Sequence, residues 1–313
     1  MSKCLICKSD YQPFVDFGQM PIANAFATKE ELHNEYTFPM KVGFCQNCYM
    51  VQLVEQPDRE KMFHENYAFF SSTSNYMKSH FSDFADKVST LQNLDTNSFV
   101  VEVGCNDGIM LQNFIKKNVP CLGVEPSKNV ANVARDKGIE VVTEFFDKTL
   151  AENIVRTHKK ADAILSANVM CHIPYIHSIY EGIKALLKDD GVFIFEDPYL
   201  GEIIEKTSFD QIYDEHVFLF SALSVSHLAN MHNLELINVE HQITHGGSMR
   251  YTIAHKGAKE VSDNVSFLIR REKELGLDTP EAYSNFSKNL NKIKLDLITL
   301  LSKLKSEGKK VVA

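Results

Sequence analysis

The chain has 313 residues, 44% of them hydrophobic and 24% charged, the balance of a soluble globular protein of about two domains. Its 41 acidic and 33 basic side chains give a net charge of −8, which argues against a nucleic-acid partner, and no apolar run approaches the roughly 18 residues of a membrane span. The N-terminus, MSKCLICKSD, has no apolar signal core, so a cytoplasmic location is expected, where disulfides are rare.

The first signal along the chain is a pair of cysteine turns, Cys4-Leu5-Ile6-Cys7 and Cys45-Gln46-Asn47-Cys48. Thiolates two residues apart can reach one ion about 2.3 Å away, and two such turns complete a tetrahedral sulfur site for structural Zn2+. Four protein ligands leave no open position, so the metal is expected to hold a fold and not to do chemistry. Cys105, Cys121 and Cys171 lie in or beside apolar runs and read as core residues.

From about residue 98 the pattern alternates between strand and helix. Ser98 to Val103 is a β-branched run, followed by the turn Gly104-Cys105-Asn106-Asp107-Gly108 and a helical stretch from Ile109 to Lys117. A second strand, Cys121 to Val124, ends at Glu125. A helix (Asn129 to Lys137) and strands at Glu140–Val142, Ala161–Asn168 and Gly191–Glu196 continue the alternation. This predicts an α/β protein with a mostly parallel sheet covered by helices. The turn lacks the G-x-G-x-x-G spacing that brings a pyrophosphate to a helix N-terminus. It carries instead an acid, Glu102, two positions before Gly104, which suits the cationic amine of S-adenosylmethionine. Glu125, at the end of the second strand, is placed to accept from ribose hydroxyls. A methyltransferase is favoured over a dehydrogenase.

Further on, Tyr213-Asp214-Glu215-His216 and His245-Gly246-Gly247-Ser248-Met249-Arg250 set titratable groups beside aromatic or glycine residues. Taken alone, Tyr213, Glu215 and His216 read as a solvated helix face. Phe286, Leu290, Ile293, Leu297, Leu300 and Leu304 recur at intervals of three and four, which predicts an amphipathic helix packed on the body or on a partner. Gly308 to Ala313 reads as a helix stop followed by the start of a strand.

These elements appear in an order that resembles the sugar C-methyltransferases acting on nucleotide-linked 4-keto-6-deoxysugars. The resemblance rests on the paired Cys-x2-Cys turns, Glu102 to Gly108, Asn168 to Pro174, Gly191 to Leu200, Tyr213 to His216 and His245 to Arg250. It implies a class I methyltransferase (Rossmann-like) sheet. A zinc-binding domain (1–66) would precede a domain for S-adenosylmethionine (67–200) and a C-terminal catalytic and substrate region (201–313), which looks truncated against the family. Carried over by position, Cys4, Cys7, Cys45 and Cys48 would bind zinc. Gly104, Asn106, Glu125 and Asn168 would form the cofactor pocket, although Asn106 stands where the family usually has glycine. Tyr67, His172, Tyr213, Glu215 and His216 would form the active site, with His216 as the base. The implied chemistry is removal of a proton beside a ketone, giving an enolate that takes the methyl group. Glu215 or another acid would hold the imidazole in the useful tautomer, and Tyr213 or His172 would donate to the oxyanion. No metal takes part, so the zinc site is expected far from the chemistry. Two other readings stay open: O- or N-methylation of a small molecule, and a non-catalytic zinc-bearing module that binds a nucleotide or a protein. The sequence does not specify the sugar, the nucleotide, the carbon or the oligomeric state.

Overall fold

Apolar alternation near the N-terminus builds one sheet, and the strand–helix alternation after residue 98 builds another. The structure, a computed structural model, describes residues 2–58, 62 and 67–312. Strands β1 (Ser2–Lys3), β2 (Asp10–Pro21), β3 (Thr37–Phe44) and β4 (Val51–Leu53) pair antiparallel in that order. On β3, Phe38, Met40 and Val42 point inward at the two-residue period of a half-buried strand.

Helix α1 (Asn75–Leu91) starts at Ser74, whose hydroxyl accepts the Met77 N–H. Then follow β5 (Val100–Val103), α2 (Leu111–Lys116), β6 (Cys121–Val124), α3 (Lys128–Asp136), β7 (Glu140–Val142), α4 (Lys148–Thr157), β8 (Ala161–Ala167), α5 (Ile176–Leu186) and β9 (Leu187–Pro198). The remaining elements are α6 (Leu200–Lys206), β10 (Phe218–Leu219), α7 (Ala222–Met231), β11 (Leu234–Gln242), β12 (Ser248–His255), α8 (Asp263–Glu274) and α9 (Pro280–Ser306). The large sheet runs β11-β12-β9-β8-β5-β6-β7. Its five strands from β9 to β7 are parallel, and β12 and β11 add antiparallel at one edge. Strand order reverses at β5, which lies between β6 and β8, and a crevice opens beyond the carboxyl ends of these strands. All four residues of β5 are buried, as expected of a strand covered on both faces.

The expected boundary at residue 200 does not divide the structure. Strands β11 and β12 complete the large sheet, and β10 pairs with β4 in the N-terminal sheet, Phe218 opposite Gln52 and Leu219 opposite Val51. Left as a separate region, these strands would leave backbone donors and acceptors unpaired. The apolar core of the N-terminal sheet also takes in Ile203, Ile212, Leu219, Tyr283 and Phe286 from beyond that boundary. The expected boundary after residue 66 abuts residues 63–66, which lie outside the described residues.

Helix α9 has Pro280 in its first turn and is followed by Gly308 at φ +71°, a matched start and stop. Only the first part of its apolar stripe packs on the body. Phe286 is buried and Leu290 lies against the core, but Ile293, Leu297 and Leu300 are exposed. Val311 and Val312 are also exposed and form no strand, because a strand exists only with a hydrogen-bonded neighbour and none pairs with them among the described residues.

A buried carboxylate fixes the end of the fold. Glu272, on α8, is 0% exposed. It accepts the N–H groups of Ala222 and Leu223 in the first turn of α7, at 2.7 and 2.9 Å, and the Tyr199 hydroxyl at 3.1 Å. Negative charge is favourable at a helix N-terminus, yet burial still pushes this carboxyl up to about 7. The folded chain therefore binds this proton more tightly than the unfolded chain does. The stabilisation is complete below the usual carboxylate range and disappears as pH rises through about 7. Thermal unfolding at pH 5 to 8 should show wild type losing stability relative to Glu272→Gln as pH rises towards about 7. A difference that is constant with pH, or that shifts in favour of wild type as pH rises, would contradict the assignment.

Candidate active site

A cavity of about 300 Å3 lies at the carboxyl ends of β5, β6 and β8, where Val103, Val124 and Ala167 close the strands. The next residue in each case, Gly104, Glu125 and Asn168, faces the cavity. Gly104 sits at φ +72°, and a Cβ there would lie 2.4 Å from Val169 Cγ2. Asn106, in the place of the usual glycine, takes φ +48°, a left-handed conformation that asparagine tolerates better than most residues. Its side chain then does what glycine cannot: Oδ1 accepts the Ser71 N–H at 3.0 Å, and Nδ2 donates to the Phe69 carbonyl at 3.1 Å. Asp107 accepts from the N–H and hydroxyl of Ser72. Residues 69–72 are thus strapped across the glycine turn, and Asn129 holds the Tyr67 carbonyl from the far side.

Glu125 accepts the Asn106 N–H at 3.0 Å and the Ser127 N–H at 2.8 Å, while burial pushes its carboxyl up against those two donors. Asn168, at φ +55°, donates its N–H to the Glu196 carbonyl; its buried Oδ1 accepts no hydrogen bond among the described residues. The crowded glycine turn, the carboxylate at the end of β6 and this orphaned acceptor fit S-adenosylmethionine. Glu102 does not take the role expected of it. Its neighbour Val103 lines the cavity, and strand alternation turns Glu102 to the opposite face. There burial, with Glu125 and Asp107 nearby, lifts its carboxyl well above the usual range.

Across the cavity, Tyr213-Asp214-Glu215-His216 forms a turn closed by the His216 N–H on the Tyr213 carbonyl, and not a solvated helix face. Asp214, Glu215 and His216 are only 1%, 2% and 5% exposed. His216 Nδ1 lies 2.7 Å from the Gln211 carbonyl oxygen. A carbonyl can only accept, so Nδ1 carries the proton and Nε2 keeps its lone pair. Gln211, and not Glu215, therefore fixes the tautomer. Glu215 is turned the other way, accepting Asn24 Nδ2 at 2.6 Å and the Tyr67 hydroxyl at 3.3 Å. The Tyr213 ring centre is 4.1 Å from that of His216, and His172 stacks near-parallel at 5.3 Å. Burial pushes His216 down to about 4 and holds His172 well below the usual imidazole range, so both rings are neutral at pH 7. Burial and the Glu215 charge raise Tyr67 and Tyr213, which stay protonated.

Asn24, Gln211 and His245 also line the cavity, and the sequence reading assigned none of them a role. His245 takes φ +52° on a turn that Thr244 ties to the buried Glu196. Glu196 also accepts from His80 and Arg250. An acid ending the apolar run Val192-Phe193-Ile194-Phe195 was the available signal for that network. Cys105, Cys121 and Cys171 are buried, as expected.

The four remaining cysteines converge. Their sulfurs lie within 4.8 Å of one another, with Cys4–Cys48 at 3.5 Å and Cys7–Cys45 at 3.4 Å. Zn–S bonds of about 2.3 Å place tetrahedral sulfurs about 3.8 Å apart. The two turns match: the Lys8 and Tyr49 N–H groups bond back to Cys4 and Cys45 carbonyls, and both residues take φ +61°. Burial pushes the Cys45 thiol up to about 11, while the Cys48 thiol draws Cys4 down to about 5. A divalent cation is what lets four clustered sulfurs all be thiolates, so the residues fit zinc. The expected remoteness of this site is bridged by one strand. The turn at Cys45–Cys48 leads into β4, whose Leu53 N–H donates to the Val217 carbonyl, the residue after His216.

Comparison with known proteins adds the family. A family model described as a methyltransferase domain matches residues 76–239, more than half of the chain. A zinc binding domain model matches residues 4–63, and a C-methyltransferase C-terminal domain model matches residues 243–313. The chain is an S-adenosylmethionine-dependent C-methyltransferase. Among curated proteins, the C-methyltransferase NovU of Streptomyces niveus is 29% identical over 99% of this chain and 74% of its own length. A ubiquinone biosynthesis O-methyltransferase of Actinobacillus pleuropneumoniae is 31% identical over 31% of this chain and 44% of its own. Among solved structures, magnesium protoporphyrin IX methyltransferase of Synechocystis, with bound SAH, superposes with a TM-score of 0.46 at 11% identity. That superposition covers 63% of this chain and 93% of that one.

For this C-methyltransferase, metal analysis should find about one zinc per chain. In Cys45→Ser, hydrogen exchange should rise across β2, β3 and β4 while β5, β6 and β8 stay protected. Unchanged metal content and protection would contradict the sulfur site. Glu125→Ala should weaken S-adenosylmethionine binding, read by calorimetry, by about 1.5–3 kcal/mol, the value of a hydrogen bond to a charged group. Wild-type affinity in that variant would remove Glu125 from the cofactor site.

Proposed function

We propose that this methyltransferase methylates a carbon of a nucleotide-linked keto-deoxysugar, through an enolate that His216 generates. The observation that carries the reading is the fixed tautomer of His216: Nδ1–H is spent on the Gln211 carbonyl, so Nε2 is free to take a proton. Bound S-adenosylmethionine supplies an electrophilic methyl group. A sugar carbon has no electron pair to offer until the proton beside a ketone is removed, and that proton goes to Nε2. The burial that keeps His216 neutral also weakens it as a base. Donors at the ketone oxygen then become necessary, and the protonated Tyr213 and the neutral His172 stand beside the ring to supply them. Glu215, held by Asn24 and Tyr67, is the acceptor for a sugar hydroxyl.

Electrostatics favour the sugar end of the substrate in this cavity. Its described lining carries Glu125 and Glu215 and no lysine or arginine. A neutral keto-sugar meets no repulsion there, whereas a diphosphate would, so the nucleotide lies outside it. No described helix is long and apolar enough to cross a membrane. We place the reaction in the cytoplasm, where the seven cysteines remain reduced.

The test uses a panel of nucleotide-linked ketosugars, with deuterium exchange beside the ketone as a readout of enolate formation without methyl transfer. His216→Ala should keep the fold and the cofactor affinity, and should slow both exchange and methyl transfer by roughly 10²- to 10⁴-fold. In wild type the rate should be flat from pH 6 to 8, since His216 takes up a proton only as pH approaches about 4. Exchange at the wild-type rate in His216→Ala would assign the base to another residue. Methyl transfer to oxygen or nitrogen without exchange would overturn the carbon acceptor.

A further inference from the structure

The loop after β2 belongs by sequence to the zinc-bearing part of the chain, yet it forms a wall of the active-site cavity. Its Ile22 is buried in the apolar core of the N-terminal sheet, together with Ile212, the residue before Tyr213. Two residues on from this anchor, Asn24 faces the cavity. The Ala23 N–H donates to Asp214 Oδ1 at 3.0 Å, and Asn24 Nδ2 donates to Glu215 Oε1 at 2.6 Å. Both contacts bridge 191 residues of sequence, so no local preference of either segment explains them.

We infer that Asn24 is a positioning residue of this methyltransferase: its amide holds the Glu215 carboxylate ionised and aimed into the cavity, which makes the zinc-bearing sheet part of the active site. The proposal rests on the reading of Glu215 as a substrate-facing group and goes beyond it, because it names what keeps Glu215 in that state. Glu215 is buried beside Asp214, Tyr67, Tyr213, His216 and Cys171. Burial and the Asp214 charge both work against ionisation. Among the described residues, only the Asn24 amide and the Tyr67 hydroxyl donate to the carboxylate, one to each oxygen. Of these two, the amide makes the shorter bond. An amide side chain also has no ionisation of its own in the working pH range, so its hold on Glu215 does not vary with pH.

The zinc-loaded protein, labelled with 13C at the glutamate carboxyls, provides a readout that needs no substrate. The Glu215 resonance is identified by its loss in Glu215→Gln, and its titration is then followed in Asn24→Leu and Asn24→Asp. Both variants should move the Glu215 midpoint upward by about one pH unit or more, with zinc content and S-adenosylmethionine affinity unchanged. Asn24→Gln, which keeps a donor, should restore at least part of the shift. With a ketosugar substrate, the acidic limb of kcat/KM should rise in parallel in Asn24→Leu. If Asn24→Leu loses zinc, the isosteric Asn24→Asp carries the test alone. A Glu215 midpoint unchanged in a zinc-loaded variant would overturn the proposal. A shifted midpoint with no turnover of any ketosugar would instead overturn the substrate reading and leave the Asn24–Glu215 linkage standing.

Discussion

Three titratable side chains in a row, Asp214, Glu215 and His216, are buried in one turn, and the architecture around the cavity follows from satisfying them. An unpaired buried polar group costs on the order of 1–3 kcal/mol, and a charge costs more. A four-residue turn cannot supply its own partners, so they arrive from elsewhere. The Ala23 N–H and the Asn24 amide come from the N-terminal sheet, the Tyr67 hydroxyl from the strap over the glycine turn, and the Gln211 carbonyl from just upstream. The cavity exists where these segments meet. Remove any one of them and a buried acid or imidazole loses its partner.

The strap over the cofactor side obeys the same logic with different residues. In a glycine-rich turn the backbone alone approaches the ligand. Here Asn106 adopts the conformation that glycine would, and its amide and the Asp107 carboxylate also bind residues 69–72. The substitution therefore exchanges bare backbone for a clamp. Because the strap also carries Tyr67, one turn shapes the cofactor pocket and delivers a donor to Glu215.

Much of this was legible in the sequence, and the limits have physical causes. Strand and helix periods are local, so the alternation after residue 98 predicted β5 through β9 and the helices α2 and α3, while α4 and α5 were not read. The cysteine turns were readable because metal coordination imposes a spacing. The boundary at residue 200 failed because strand pairing is not local: β11 and β12 look like the start of a new region until β12 bonds to β9. Glu102 failed because an acid before a glycine turn carries no label for the face it points to. Glu215 lines the cavity, but a backbone carbonyl, that of Gln211, and not an acid holds the His216 ring, since adjacency in sequence places neighbours in a tight turn on different sides. Asn24 gave no signal at all. An asparagine after Pro21-Ile22-Ala23 reads as an ordinary turn residue, and its contact with Glu215 depends on the whole tertiary fold.

The same non-local pairing gives the zinc site its bearing on the chemistry. A closed sulfur site can act only through the structure it holds. Here the Cys45–Cys48 turn fixes the start of β4, and β4 pairs with β10, which begins two residues after His216. Across β3 from β4, β2 runs into the loop that carries Asn24. One small antiparallel sheet thus grips the Tyr213–His216 turn from both ends, at Val217 through the Leu53 N–H and at Asp214 and Glu215 through the loop. A large sheet that binds the methyl donor sets where the electrophile lies. A small sheet with four clustered cysteines sets where the His216 turn lies, and the geometry between them depends on both sheets being formed.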